Sequence, residues 1–120
     1  MDNCIFCKIA AGQIPATIVY EDEDLIAFND IRPAAPVHML IIPRKHFDTL
    51  SSVGVEHGVL LGKMLTLASQ LAEKAGCAPV LQADGSLTGG YKTLINCGPD
   101  GGQEVYHRHM HVIGGPKPWR

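Results

Sequence analysis

Residues 101–115 read GGQEVYHRHMHVIGG, with His107, His109 and His111 at every second position between two glycine pairs. Side chains on a strand alternate faces, so the spacing puts the three imidazoles on one side and Tyr106, Arg108, Met110 and Val112 on the other. Two chemistries use such a row. The imidazoles can share one metal ion, or one can act as a nucleophile while its neighbours bind and orient an anion. The loop just ahead, GPDGGQ at 98–103, favours the second. Gly98, Gly101 and Gly102 let the backbone approach a ligand, and successive N–H groups can form an anion-binding concavity. A phosphate would then sit between those amides and the histidine face.

Cys4 and Cys7 form a CxxC pair, half of a tetrahedral zinc site. Two thiols packed as small hydrophobes on a short helix give the same pattern. A thioredoxin-like redox pair is disfavoured, because no strand precedes the motif.

The elements that must hold these residues follow from periodicity. CIFCKIAA at 4–11 predicts a short helix ending at Gly12, with Pro15 closing its exit. ATIVYED and DLIAFND predict a hairpin turning near Glu21–Asp24, and VHMLIIP a third strand bounded by Pro36 and Pro43. Apolar positions 60, 64, 67, 71 and 61, 65, 68, 72 predict one long helix over 55–75. YKTLINC and VYHRHMHVI supply the last two strands. The order β-β-β-α-β-β gives an α+β fold: a five-stranded antiparallel sheet with one long helix and a short N-terminal helix. The apolar stripe of the long helix is wider than one sheet face needs, and the sheet has two open edges. Both features predict a dimer.

The 120 residues read as one domain, 1–120, without repeats or linkers. A net charge of −2 argues against an electrostatically driven nucleic-acid binder. The most apolar run, 59–72, is interrupted by Lys63, Thr66, Ser69 and Gln70, so no membrane span is expected. The N-terminus lacks a secretory pattern, which predicts a cytoplasmic protein with reduced or metal-bound cysteines.

GGQEVYHRHMHVIGG resembles the motif of the histidine triad (HIT) superfamily, and CIFCKIAAGQIPATIVYEDEDLIAFNDIRPAAPVHMLIIPRKH is similar to the N-terminal half of its Hint branch, bacterial type. The resemblance covers nearly the whole chain. It implies a HIT-like homodimer that binds a purine nucleotide of AMP type. It also implies hydrolysis of the P–N bond of nucleoside 5′-phosphoramidates through a nucleotidyl-histidine intermediate. His109 would be the nucleophile, oriented by His107 partly through its carbonyl; His111 would contact the phosphate, and His38 is the fourth active-site histidine. Asp30 would hold the ribose hydroxyls, Ile5, Phe6, Ile9, Phe28 and Ile31 the base, and Asn96, Gly102, Gln103 and Glu104 the phosphate side. No cofactor is implied for catalysis. Relatives with the CxxC imply a structural zinc held by Cys4, Cys7, His46 and His107, in which case His107 cannot serve the nucleotide through the same nitrogen.

Read without the resemblance, several of these positions have plainer roles. Asp30 suits a turn before Pro33, His38 a half-buried strand position, Phe6 and Phe28 a core, and Asn96 a strand end. Two residues depart from the family pattern. Arg108 fills a slot usually apolar but points away from the triad. Glu104 stands where animal relatives carry a serine thought to protonate the leaving amine. After Gly115, Pro116 and Pro118 bar a central strand, and Trp119 packs either on a partner subunit or loosely at the surface. A nucleotide-binding regulatory module with incidental turnover is the alternative to an enzyme. A zinc hydrolase using the triad as ligands is a third reading, which the phosphate-type loop disfavours.

Overall fold

A computed structural model of the chain describes residues 4–52, 54–116 and 119. Helix α1 spans Ile5–Ala10, capped by the Cys4 thiol, which accepts the Cys7 N–H at 3.3 Å. It stops at Gly12, whose φ of +75° suits only glycine readily. There Gly12 N–H bonds the Ile9 carbonyl and Gln13 N–H the Lys8 carbonyl, the paired closure of a Schellman motif.

Strands β1 (Ile18–Glu21), β2 (Leu25–Asn29) and β3 (Val37–Pro43) follow, then helix α2 (Gly58–Lys74), a short hairpin β4 (Val80–Leu81) and β5 (Leu87–Thr88), β6 (Tyr91–Leu94) and β7 (Met110–Gly114). The Asp22 carboxylate closes the first hairpin by accepting the Asp24 and Leu25 amides, both at 2.8 Å. The main sheet is antiparallel in the order β1-β2-β3-β7-β6.

β2 and β3 are apolar almost throughout because both sheet faces are covered. On one face Leu25, Ala27, Met39, Ile41, Met110 and Val112 pack against Met64, Leu67, Ala68, Leu71 and Ala72 of α2. On the other, Ile26, Phe28, Leu40 and Ile42 pack against Phe6 and Ile9 of α1. The second face carries the histidines: Leu40, beside Phe28 on one flank, is paired with His111 on the other.

The elements depart from the sequence-based expectations in several places, and β6 stops at Leu94, short of the strand expected over YKTLINC. The strand expected over 105–113 forms ladder pairs only from Met110, so His107 and His109 lie just outside it, although the alternation of faces persists. The helix expected over 55–75 begins as a 3-10 turn, Val55–His57, before α2. The β4–β5 hairpin was not anticipated; its two-residue strands are too short to show a period. Within the expected stripe of α2, Leu65 is exposed and Leu61 only partly buried. Pro118 lies outside the described residues. Trp119 turns back on its own chain, its indole N–H donating to the Gly115 carbonyl at 2.8 Å.

Candidate active site and metal cage

The protons on the triad can be placed from the backbone outward. His109 Nδ1 lies 2.9 Å from the His107 carbonyl, which can only accept, so Nδ1 carries the proton and Nε2 of the neutral ring keeps its lone pair. On β3 the Ala34 amide donates to His38 Nδ1 at 3.0 Å, leaving the His38 proton on Nε2. That Nε2–H meets His111 Nδ1 at 2.8 Å. His111 therefore carries its own proton on Nε2, as a donor. One backbone amide thus sets the tautomers of two rings in series.

Burial keeps these rings neutral. It lowers the pKa of His109, an effect the bond to the His107 carbonyl partly opposes, and lowers that of His38 against the pull of Asp30. His111 is pushed down to about 4 by burial and by the neighbouring His109 and His38. At neutral pH the site holds an unprotonated nitrogen on His109 beside an N–H on His111, the two rings 5.0 Å apart.

The other expected residues divide. Phe6, Ile9 and Phe28 are buried, and Phe6 stands edge-on to His109 at 5.1 Å and to Phe28 at 5.5 Å. Ile5 and Ile31 are instead exposed, Ile31 by 90%. They can rim an apolar slot but do not wall it. Asp30 lies beside the histidines, with Oδ2 3.4 Å from His38 Nε2 and Oδ1 accepting the Arg32 amide. Glu104 is exposed.

The glycine loop differs from the expected amide concavity. Gly98 N–H bonds Gln103 Oε1, Gly102 N–H the Pro99 carbonyl, and Gln103 N–H the Gly98 carbonyl, so these amides hold the turn itself. Asn96 Nδ2 braces it by donating to the Gly101 carbonyl at 2.7 Å. Gly101 is required sterically, since a Cβ there would meet the Cys97 carbonyl at 2.3 Å.

The first triad histidine faces elsewhere. His107 Nε2–H donates to the Pro43 carbonyl at 2.8 Å, turning the Nδ1 lone pair toward Cys4 Sγ at 3.2 Å and Cys7 Sγ at 3.4 Å. His46 repeats the device: Nε2–H on Asp48 Oδ1 turns Nδ1 toward Cys7 Sγ at 3.2 Å. The four ligand atoms lie within 4.8 Å of one another. Tetrahedral zinc with ordinary Zn–S and Zn–N bonds needs ligand separations of about 3.3–3.8 Å, so the cage fits with small adjustments. Both imidazoles also have the oriented outer partner that ligating histidines use. Burial and Cys4 raise the Cys7 thiol to about 11, an effect that a bound dication reverses.

Four protein ligands close the cage, which is the arrangement of a structural ion. The triad does not converge on one metal: His107 groups with Cys4, Cys7 and His46, His111 groups with Asp30 and His38, and His109 belongs to neither cluster. That arrangement disfavours the triad-ligated zinc hydrolase. Sequence reasoning missed Ala34, Pro43 and Asp48. Asp48 leaves a trace, a carboxylate two residues after a histidine; the other two act through backbone atoms and leave none.

Comparison with known proteins agrees with this architecture. Residues 3–119 match the family model described as scavenger mRNA decapping enzyme C-term binding. The chain is 53% identical to protein HitA of Neisseria gonorrhoeae over 97% of its own length and 99% of that protein's. It is 44% identical to the purine nucleoside phosphoramidase of Escherichia coli K12, covering 95% of this chain and 88% of that one. The crystal structure of a HIT family hydrolase from Legionella pneumophila superposes with a TM-score of 0.83 at 47% identity, covering 96% and 95% of the two chains. A zinc-bound histidine triad family protein from Mycobacterium smegmatis gives a TM-score of 0.73 at 32% identity, covering 94% and 75%.

Proposed function

The chain belongs to the histidine triad superfamily and has HIT family hydrolases among its relatives, and on that footing we propose that it is a purine nucleoside 5′-phosphoramidate hydrolase of the Hint branch. The observation that carries the reading is the proton arrangement at His109: Nδ1–H tied to the His107 carbonyl, Nε2 unprotonated and the ring neutral at physiological pH. A relative named purine nucleoside phosphoramidase, similar over 95% of this chain, supports the substrate class.

His109 Nε2 attacks the phosphorus as the P–N bond breaks, and the amine leaves with a proton taken from solvent water, which the later hydrolysis returns. The P–Nε2 bond so formed is a nucleotidyl-imidazole, and water then displaces the histidine to release the nucleoside monophosphate. The His111 Nε2–H, held in that tautomer by His38, donates to a phosphoryl oxygen as negative charge builds. The loop amides at 98, 102 and 103 hold the turn, and the amide of Glu104, next along the chain, is the backbone donor assigned to the phosphate. Asn96, Gly102 and Gln103 shape the loop around it. The Asp30 carboxylate accepts from the ribose hydroxyls. Phe6, Ile9 and Phe28 form the floor of the base slot and Ile5 and Ile31 its rim. No catalytic step uses a metal; a zinc ion held by Cys4, Cys7, His46 and His107 ties α1 to the segments that carry the two histidines.

The working unit is a cytoplasmic homodimer of single HIT domains spanning 1–120. The outer edge of β6, unpaired among the described residues, and the exposed Val59 and Leu65 of α2 support the second copy. No described helix is long and apolar enough to cross a membrane.

Steady-state turnover of adenosine 5′-phosphoramidate, with and without a chelator, tests the proposal. An enzyme turns it over at a rate within the ordinary range of about 1–1,000 per second. Tight AMP binding without turnover would instead identify a regulatory nucleotide-binding module.

A further inference from the structure

The metal cage and the nucleotide site share residues, and we infer that they form one coupled binding unit in which zinc tightens purine nucleotide binding and nucleotide tightens the hold on zinc. The inference rests on the nucleotide reading above. Three physical connections carry it. The first is His107, whose ring presents Nδ1 to the two thiols while its carbonyl fixes the tautomer of His109. The second is α1: Cys4 caps it, Cys7 lies in its first turn, and Phe6 between them packs against His109 and Phe28. Pinning the two sulfurs therefore pins the floor of the base slot.

The third runs through Asp48 to the loop. Its carboxylate orients the ligand histidine His46, while its carbonyl accepts from Gln103 Nε2 at 2.7 Å. Gln103 is buried, and its Oε1 accepts the Gly98 amide at 2.9 Å, closing the turn beside the triad. Asp48 is thus a positioning residue for both sites.

The Arg108 amide on the Phe47 carbonyl and the packing of Phe6 and Ile9 hold these segments together, but without an ion the cage sulfurs meet the imidazoles through weak hydrogen bonds. Coordination replaces them with bonds of fixed length. A nucleotide that needs the same register binds more weakly by the fraction of molecules lacking it, and the ion removes that loss. Linkage requires the reverse effect to be equal.

The experiment uses wild-type protein loaded with zinc and AMP as the probe. Zinc transfer to an excess of chromogenic chelator is timed with and without saturating AMP, and the AMP Kd is measured by calorimetry on loaded and stripped protein. Couplings of this kind are about 5–150-fold. We expect zinc release at least about fivefold slower with AMP, and AMP binding at least about fivefold tighter to loaded protein. Free AMP competes weakly for zinc, which would speed its loss, so slower release cannot be an artefact of that competition. AMP binding that leaves release unchanged would overturn the coupling, even if stripped protein had lost its fold. Loaded protein that does not bind AMP at all would overturn the nucleotide reading and this inference with it.

Discussion

Arg108 sits between two triad histidines in sequence but faces the opposite side of the sheet, and replacing it with methionine tests the packing there. The side chain is fully buried, and its Nε and both terminal nitrogens lack a hydrogen-bond partner among the described residues. Its Cζ lies 4.8 Å from the centroid of the Phe47 ring, a cation–π contact. Burying a cation costs several kcal/mol even after relaxation, and a desolvated cation–π contact returns about 2 kcal/mol. Methionine keeps an unbranched stem of similar reach and needs no partner. Arg108→Met should therefore stabilise the fold by about 1–3 kcal/mol. A chain of this size gains roughly 3–5 °C in Tm per kcal/mol, so Tm should rise by about 3–15 °C. Urea unfolding at matched protein and zinc concentrations should show a higher midpoint with an unchanged m-value. A variant that melts lower than wild type would contradict a buried guanidinium that costs more than its Phe47 contact returns.

Acidification should act on both stability and rate. Burial lowers the folded-state pKa of His38, His107, His109 and His111, the last to about 4. The unfolded chain, with imidazoles near 6.5, thus binds protons that the folded one refuses. Stability should be full above about pH 6.5 and fall progressively toward pH 4; a flat unfolding free energy across that window would contradict the neutral, buried rings. For the same reason the acid limb of kcat/KM should lie below about pH 6.5. Asp30→Ala removes a charged acceptor, typically worth about 1.5–3 kcal/mol, so AMP should bind roughly 10- to 150-fold more weakly by calorimetry. Unchanged affinity would remove Asp30 from the ribose site. Sedimentation at micromolar concentration should give the dimer mass, and a monomer would leave the β6 edge without its assigned cover.

The sequence showed the chemistry more clearly than the scaffold around it. Alternation in HRHMH was enough to put the triad on one face and Arg108 on the other, because the pleat fixes that geometry even where the ladder has not begun. The ladder's start at Met110 was not legible, since nothing in VYHRH signals where pairing stops. Glycine spacing located the loop, but its amide bonds depend on Gln103 folding back onto Gly98, a contact no spacing rule contains. The cage ligands were named by resemblance, with CxxC supplying only half of them. The tautomer chain was invisible, because it begins at the backbone amide of Ala34 and passes between rings 73 residues apart.

The decisive step is the bond from His109 Nε2 to phosphorus, and mass spectrometry of alkali-quenched pre-steady-state reactions detects it, because a nucleotidyl-imidazole survives alkali but not acid. With adenosine 5′-phosphoramidate in excess, a transient adenylyl adduct should map to His109 and decay as AMP appears. His109→Ala should form none and lose roughly a thousandfold or more in turnover, while still binding AMP. Wild-type protein that releases AMP with no adduct, together with a His109→Ala variant hydrolysing at near wild-type rate, would contradict that step.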